Sequence, residues 1–211
     1  MRGLRPGALL GLLCLCMAPV TLALADDSVA SLAAAARAEC EAGRRADQRD
    51  ERKVHFDRGQ ALGERAVAAD DQDADAHFAL FCNLGELMRL DGESITSVTG
   101  FRRMMGELDR TLELNPQHTD ALAAKGTFLI RLPRLLGGDA EKGEAMLRKV
   151  IRMDPSAVSS RLTLAKTCEA RGDRDEALGF ATRALQIARE QGRADKIAEA
   201  QATLSELRAD R

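Results

Sequence analysis

Three histidines and the cysteines are the side chains in this sequence most suited to chemistry. His55, His77 and His118 stand far apart, and none has a second histidine or a carboxylate at a metal-ligand spacing that repeats on one helix face. We interpret them as exposed or capping histidines. The sequence also contains no G-x-S-x-G, P-loop or Rossmann glycine motif. It therefore predicts no catalytic residue, no metal site and no cofactor, and we do not expect an enzyme.

The five cysteines divide between an N-terminal apolar stretch and the rest of the chain. Cys14 and Cys16 lie in the stretch, which leaves Cys40, Cys82 and Cys168. An odd number allows one internal disulfide at most. We interpret the three as small buried hydrophobic residues on helices. A Cys40–Cys82 bridge between neighbouring helices is the alternative in an oxidising compartment, and spacing alone does not decide between the two.

The N-terminus has the order of regions found in a secretory signal peptide. Arg2 and Arg5 precede an apolar run at positions 8–18, and Ala23-Leu24-Ala25 forms an A-x-A cleavage site. We predict a cleaved signal peptide over residues 1–25 and export to a bacterial periplasm. The alternative is an uncleaved membrane anchor, but prolines and glycines interrupt the segment, which is barely long enough to span a bilayer.

Charge and composition limit the function classes further. The chain has 31 Lys+Arg and 33 Asp+Glu. Cleavage of the predicted signal peptide removes Arg2 and Arg5, so the mature chain keeps 29 Lys+Arg against 33 Asp+Glu and carries a net charge of −4. This near balance argues against a nucleic-acid surface, which requires a basic excess. The chain has no Trp, no Tyr and six Phe, and it is rich in Ala, Leu, Arg and Glu. That composition favours helices over strands.

A helix-and-stop unit recurs along the chain. Asn115-Pro116 follows ELDRTLEL, Asp154-Pro155 follows MLRKVIRM, and in a degenerate copy Asp71 takes the place of the proline. Proline cannot continue one helix but can precede the next. New helical patterns accordingly begin after each stop, at Ala74, Thr119 and Val158. A unit that repeats must bury its apolar face against its neighbours, so the pattern predicts stacked helix pairs.

The last unit carries the clearest register. Counted from Val158 as position 1, small and apolar residues occupy the slots of a 34-residue pattern: Leu164, Ala165, Cys168, Gly172, Ala177 and Ala181. Asp173 and Glu176 have the spacing of a capping box that would begin the second helix. This unit resembles the tetratricopeptide repeat (TPR) superfamily, in which small residues lie where two antiparallel helices touch.

The resemblance implies an all-α, TPR-like helical-hairpin solenoid of about three to four helix pairs with a C-terminal capping helix. We place this domain at residues 52–211, with the capping helix at Ala194–Arg208. Residues 26–51 would form an N-terminal alanine-rich helix and a charged linker, and the helix at Val29–Ala46 together with the one at Lys53–Ala69 would form a degenerate first unit. Within that region, the charged run Arg44–Arg52 is interpreted as a solvated turn or frayed end.

Two insertions lengthen the middle units. The distance from Pro116 to Pro155 is 39 residues, five more than the standard repeat, and we place the surplus in Leu132–Asp139. There Pro133 would break the helix, Gly137-Gly138 would form a turn and Asp139 would cap the next helix. A second surplus falls in Leu90–Gly100.

The resemblance also implies a concave face lined by the first helix of each pair. The candidate partner-binding residues on that face are Phe78, Cys82, Glu86, Ala123, Thr127, Ile130, Arg131, Leu162, Lys166 and Glu169. The family's carboxylate clamp requires Lys or Asn at positions that here hold Phe78, Ala123 and Leu162. We therefore expect no clamp of that kind, and a groove suited to an apolar or helical ligand. Alternatively, Phe78 and Leu162 pack against neighbouring or terminal helices.

These patterns predict a non-catalytic, exported scaffold that binds a protein or peptide on the concave face. It would bind no nucleic acid and would meet a membrane only through partners. An alternative comes from the turn and helix LLGGDAEKGEAMLRKVIRMDP, which resembles the second helix of T-component proteins of periplasmic TRAP-transporter systems. That resemblance implies a small apolar or organic-acid ligand inside the helical stack.

Overall fold

The computed structural model describes residues 28–90 and 98–209. The predicted signal peptide and most of the predicted Leu90–Gly100 insertion lie outside these residues. The described chain contains nine α-helices and one short 3₁₀ helix at Arg134–Leu136: α1 (Val29–Arg45), α2 (Arg49–Ala69), α3 (Ala74–Leu90), α4 (Val98–Leu114), α5 (Thr119–Arg131), α6 (Ala140–Met153), α7 (Val158–Ala170), α8 (Arg174–Glu190) and α9 (Ala194–Ala209). None of the helices in these ranges is both long and apolar enough to cross a membrane.

Consecutive helices pack as four pairs, α1/α2, α3/α4, α5/α6 and α7/α8, and α9 covers the last pair. The first helices also meet across pairs, since α1 contacts α3 and α5 contacts α7. We call the surface formed by α1, α3, α5 and α7 the first-helix face. The predicted all-α helical-hairpin solenoid with a C-terminal capping helix is confirmed.

The stop signals in the sequence end the helices as expected. The side chains of Asn115 and Asp154 accept hydrogen bonds from the backbone N–H two residues later, at 3.0 and 2.8 Å. Asp70 accepts the equivalent bond from Gln72 at 2.8 Å, which explains how the degenerate copy turns without a proline. The side chain of Asp139 accepts from the N–H of Lys142 at 3.0 Å, as predicted for the cap of α6.

The charged run Arg44–Arg52 is largely exposed, as predicted, but only its middle is a turn and the rest belongs to the ends of two helices. Only residues 46–48 separate the two helices, and α2 begins at Arg49. Asp50 and Glu51 lie in the first turn of α2, where a negative charge is favoured by the helix dipole. The division predicted between residues 51 and 52 falls inside α2, and α1 packs on both α2 and α3.

The predicted capping box at the start of α8 is also wrong. Asp173 lies at the N-cap but makes no side-chain capping hydrogen bond. Glu176 instead faces α6 and α7, where it pairs with Arg148 at 2.7 Å and accepts a hydrogen bond from the Cys168 thiol at 3.3 Å. Glu176 therefore links α8 to α6 and α7 and does not return to the N-cap of its own helix.

Small residues allow the helices of a pair to approach closely. A Cβ added to Gly126 on α5 would lie 2.9 Å from the Gly143 carbonyl oxygen on α6, closer than real Cβ contacts allow. In the last pair, Ala165 of α7 and Ala177 of α8 are fully buried, together with Leu207 of α9. The small-residue slots of the repeat therefore lie at the contacts between helices.

The contact at Ala177 yields a stability prediction. Ala177→Leu should lower the free energy of unfolding by about 1–3 kcal/mol, because the added carbons have no space between α7 and α8. Urea denaturation followed by circular dichroism measures the change. Ala202→Leu on the exposed side of α9 is the control and should leave stability within about 0.5 kcal/mol of the original. Equal stability of the two variants would show that the register of the last pair is incorrect.

Candidate functional site

A cleft of about 650 Å³ opens on the first-helix face between the second and third pairs. We call it the aromatic cleft because its interior is lined by four phenylalanines and two methionines from α3, α4 and α5: Phe78, Phe81, Met88, Phe101, Met104 and Phe128. The rings of Phe81 and Phe101 meet the edge of Phe128, with centroids 6.3 and 6.2 Å away. These contacts join the two pairs at the base of the cleft and leave an apolar interior open above it.

A disulfide between Cys40 of α1 and Cys82 of α3 supports one wall of the cleft. The two Cα atoms lie 6.3 Å apart, within the range that a disulfide spans. The interpretation of all three cysteines as unpaired hydrophobic residues was therefore wrong for this pair, and the alternative bridge is present. Cys168 is free and buried, as predicted.

A buried carboxylate lies in the same wall. Glu86 of α3 is 1% exposed, and it accepts hydrogen bonds from Arg44 Nε at 2.8 Å and from Arg89 Nη1 at 3.1 Å. Arg44 also pairs with Glu41 at 2.9 Å. A buried charge is tolerated when it is paired and hydrogen-bonded, which here fixes two guanidinium groups at the mouth of the cleft.

The opposite end of the cleft is closed by a second group of polar contacts. Arg37 of α1 pairs with Asp120 of α5 at 2.8 Å and lies over the ring of Phe78, 5.3 Å from its centroid. His118 caps α5 by accepting from the Ala121 N–H, and its Nε2 lies 3.1 Å from Asp75. His118 is thus a capping histidine, as predicted.

The structure places eight of the ten predicted partner-binding residues in two cavities and the other two outside them. Six of them line the aromatic cleft: Phe78, Cys82, Glu86, Ala123, Thr127 and Arg131. Ile130, Lys166 and again Arg131 line a second groove of about 440 Å³ between α5 and α7. Glu169 is half-buried on α7 and lines neither cavity. Leu162 is 1% exposed and lies in the core formed with α8 and α9, which is the alternative given for it.

Phe78 belongs to both the core and the cleft. It is 7% exposed and packs with Phe81 and Met104, yet part of its ring faces the opening. Sequence reasoning did not identify the contribution of α1, which supplies Arg37 and Arg44. The alanine-rich α1 carried no family motif, so it was assigned to a degenerate first unit but given no binding residue.

Two histidines are less exposed than predicted. His77 is 6% exposed, and its Nδ1 lies 2.6 Å from Glu107 on α4. His55 on α2 is half-buried and makes the same contact with Glu39 on α1. The prediction of exposed or capping histidines was therefore wrong for His77. Each carboxylate comes from the neighbouring helix, and for that reason its distance could not be read from sequence spacing.

One group of potential metal ligands lies outside the aromatic cleft. Donor atoms of Glu144, Cys168 and Glu176 fall within 4.8 Å of one another. Arg148 and Arg171 each pair with both glutamates. Burial, together with the hydrogen bond to Glu176, raises the pKa of the Cys168 thiol to about 11. The thiol therefore stays protonated near neutral pH, and the cluster acts as an ion-pair network that ties α6 to α7 and α8.

No protein-family model matches the sequence, and no curated protein matches it either. Several solved structures match its fold. A thermophilic TPR protein of Thermus thermophilus aligns over 84% of this chain and 81% of its own, with a TM-score of 0.61 and 19% identity. PilF of Pseudomonas aeruginosa aligns over 84% and 71%, with a TM-score of 0.55 and 16% identity. MamA aligns over 79% and 81%, with a TM-score of 0.51 and 17% identity.

At identities this low the matches establish the fold alone. They do not bear on the resemblance to T-component proteins. Together with the paired helices and the small residues between them, they show that this chain has the fold of the tetratricopeptide repeat superfamily.

Proposed function

We propose that this protein is a non-catalytic scaffold that holds a protein partner in the aromatic cleft of its concave face. The observation that carries the proposal is the cleft itself, an apolar interior of about 650 Å³ with a polar and charged rim. Rigid aromatic walls surrounded by charged groups are typical of the centre of a protein interface. The TPR fold supports the proposal because its stacked first helices form an extended binding surface.

The absence of catalysis is part of the proposal. The carboxylates that line the described part of the cleft are Glu41, Glu86 and Asp120, and each is paired with an arginine. Each of these carboxylates is thus already engaged by a guanidinium group. The described lining also contains no histidine, and its cysteine is oxidised.

Export is the third part of the proposal. The signal-peptide pattern of residues 1–25 is supported by the Cys40–Cys82 disulfide, because such bonds persist in oxidising compartments and are rare in a reducing cytosol. A periplasmic scaffold with a disulfide beside its binding surface satisfies both observations.

Photocrosslinking tests the binding site. A photoreactive amino acid replaces Thr127, whose hydroxyl donates to the Ala123 carbonyl of its own helix, in protein produced in the native envelope. The matched control replaces Arg183, which is exposed on α8 away from the cleft. We expect one dominant protein adduct from position 127 and none of that size from position 183. Equal adducts from both positions, or no adduct from either, would contradict the proposal.

A further inference from the structure

The first turn of α5 is capped by a histidine ring nitrogen. The Ala121 N–H donates to Nδ1 of His118 at 3.2 Å, and His118 is only 8% exposed. The equivalent bonds at the starts of α1, α3 and α6 are accepted by oxygen atoms of Ser28, Asp73 and Asp139. A hydroxyl or carboxylate oxygen can still accept near neutral pH, whereas a histidine nitrogen stops accepting once it binds a proton. The cap of α5 therefore differs from those three because it depends on pH.

The contacts of the two ring nitrogens define the protonation state that His118 requires. A backbone N–H can only donate, so Nδ1 must present a lone pair to the N–H of Ala121. Nε2 lies 3.1 Å from Asp75 Oδ1 on α3, so Nε2 carries the ring proton. The arrangement thus holds a neutral ring. A second proton on Nδ1 would place one N–H against another and remove the cap.

His77 has the opposite requirement. Its Nδ1 lies 2.6 Å from Glu107 Oε2, and its Nε2 lies 3.1 Å from the carbonyl oxygen of Asp71. With Glu107 ionised, both neighbours are acceptors, so both ring nitrogens must donate and the ring carries two protons. Acid therefore preserves the contacts of His77 and removes a contact of His118.

The cap of α5 is connected to the aromatic cleft through Phe78, which lines the cleft. The His118 ring packs on the Phe78 ring, with centroids 4.6 Å apart. The guanidinium of Arg37 lies over the same Phe78 ring and pairs with Asp120, the second residue of α5. A change in the first turn of α5 thus reaches the wall of the cleft through one shared ring and one ion pair.

We propose that protonation of His118 is a switch that releases the first turn of α5 in acid and loosens the end of the aromatic cleft at Phe78. The switch operates in the free protein, and only its effect on a partner rests on the proposed function of the cleft. A partner would be held at neutral pH and released more readily in acid.

The charged groups around the ring nearly balance, so the lost cap decides the direction of the effect. Asp75 of α3 attracts a charged ring, but its side chain is 67% exposed and water screens that attraction. Arg37 of α1 and Asp120 of α5 form an ion pair and largely cancel. Lys149 of α6 donates to the Pro116 carbonyl in the loop before α5 and adds a positive charge. Because the released turn binds a proton that the capped turn excludes, the cap loses stability as the pH falls.

NMR spectra of the histidine rings test the protonation states in the unaltered mature protein. Long-range correlations between ring protons and ring nitrogens identify which nitrogen carries a proton. At pH 8 we expect His118 to carry its proton on Nε2 alone, and at pH 5 we expect it to carry two, since histidines ordinarily titrate in this range. A proton on Nδ1 of His118 at pH 8, or a ring that is still neutral at pH 5, would overturn the inference.

Hydrogen exchange of the Ala121 amide measures the cap itself. Its protection, corrected for the intrinsic exchange rate, should fall roughly fivefold between pH 8 and pH 5, which corresponds to the loss of one N-cap. His118→Asn supplies an oxygen acceptor that does not titrate, so protection in that variant should stay constant. His55→Asn is the matched control, because His55 pairs with Glu39 between α1 and α2, and it should show the same fall as the original protein.

An equal fall in the original protein and in His118→Asn would overturn the inference, as would constant protection in the original protein. If His118→Asn does not fold, the ring spectra of the original protein still decide the protonation states. Crosslinking from Thr127 at neutral pH does not depend on the switch, so the switch and the proposed function can fail separately.

Discussion

Replacing both Cys40 and Cys82 with alanine should lower the free energy of unfolding by about 4 kcal/mol. The bond joins residues 42 positions apart, and a crosslink that closes a loop of this length removes conformational entropy from the unfolded chain worth about that amount. Because ordinary domains have a total stability of only about 5–15 kcal/mol, this single bond supplies a large share of it.

Urea denaturation of the mature protein measures the loss, with and without dithiothreitol. The reductant should destabilise the original protein and leave the double variant unchanged, since Cys168 has no partner to lose. An original protein that is equally stable with and without the reductant would mean that Cys40 and Cys82 are not bridged, or that the bond does not constrain the unfolded chain.

Phe56→Ala should cost about 3–5 kcal/mol, an effect of similar size. Phe56 on α2 is completely buried and packs against both cysteines of the disulfide. Its ring also lies against the backbone of α1, because a Cβ added to Gly43 would be 2.8 Å from the ring atoms Cδ1 and Cζ. Removal of the ring leaves a cavity between α1, α2 and α3 that the backbone cannot close.

The same denaturation measurement provides a control on the same helix. Val54 is 47% exposed, and Val54→Ala should change stability by less than about 0.5 kcal/mol. The loss in Phe56→Ala should not simply add to that of the cysteine variant, because Phe56, Cys40 and Cys82 belong to one buried cluster. A cost below about 1 kcal/mol for Phe56→Ala would show that α2 does not pack under the disulfide as described.

The features that the sequence predicted well are local. Pro133 ends α5 near Arg131, and Asp139 caps α6, because backbone chemistry at these positions depends on a few adjacent residues. The register of the last helix pair could be predicted from the sequence as well. Ala177 and Ala181 occupy small-residue slots of the 34-residue pattern, and both are completely buried.

The features that the sequence did not decide depend on contacts between distant segments. The pairing of Cys40 with Cys82 required knowing how closely α1 lies to α3. The register placed Leu162 on the first-helix face and left open whether it packs against a terminal helix, which it does, in a core shared with α9. Glu86 was predicted on the partner-binding face, and it does line the aromatic cleft, but the sequence did not reveal its ion pairs with Arg44 and Arg89.

Hydrogen–deuterium exchange tests the central claim most directly, by comparing the mature protein alone with the protein saturated by the partner captured through Thr127. The account predicts slower exchange in the parts of α3 and α5 that line the aromatic cleft, with no change on the exposed side of α8. Protection confined to α6 and α8, with α3 and α5 unchanged, would contradict the assignment of the first-helix face as the binding surface.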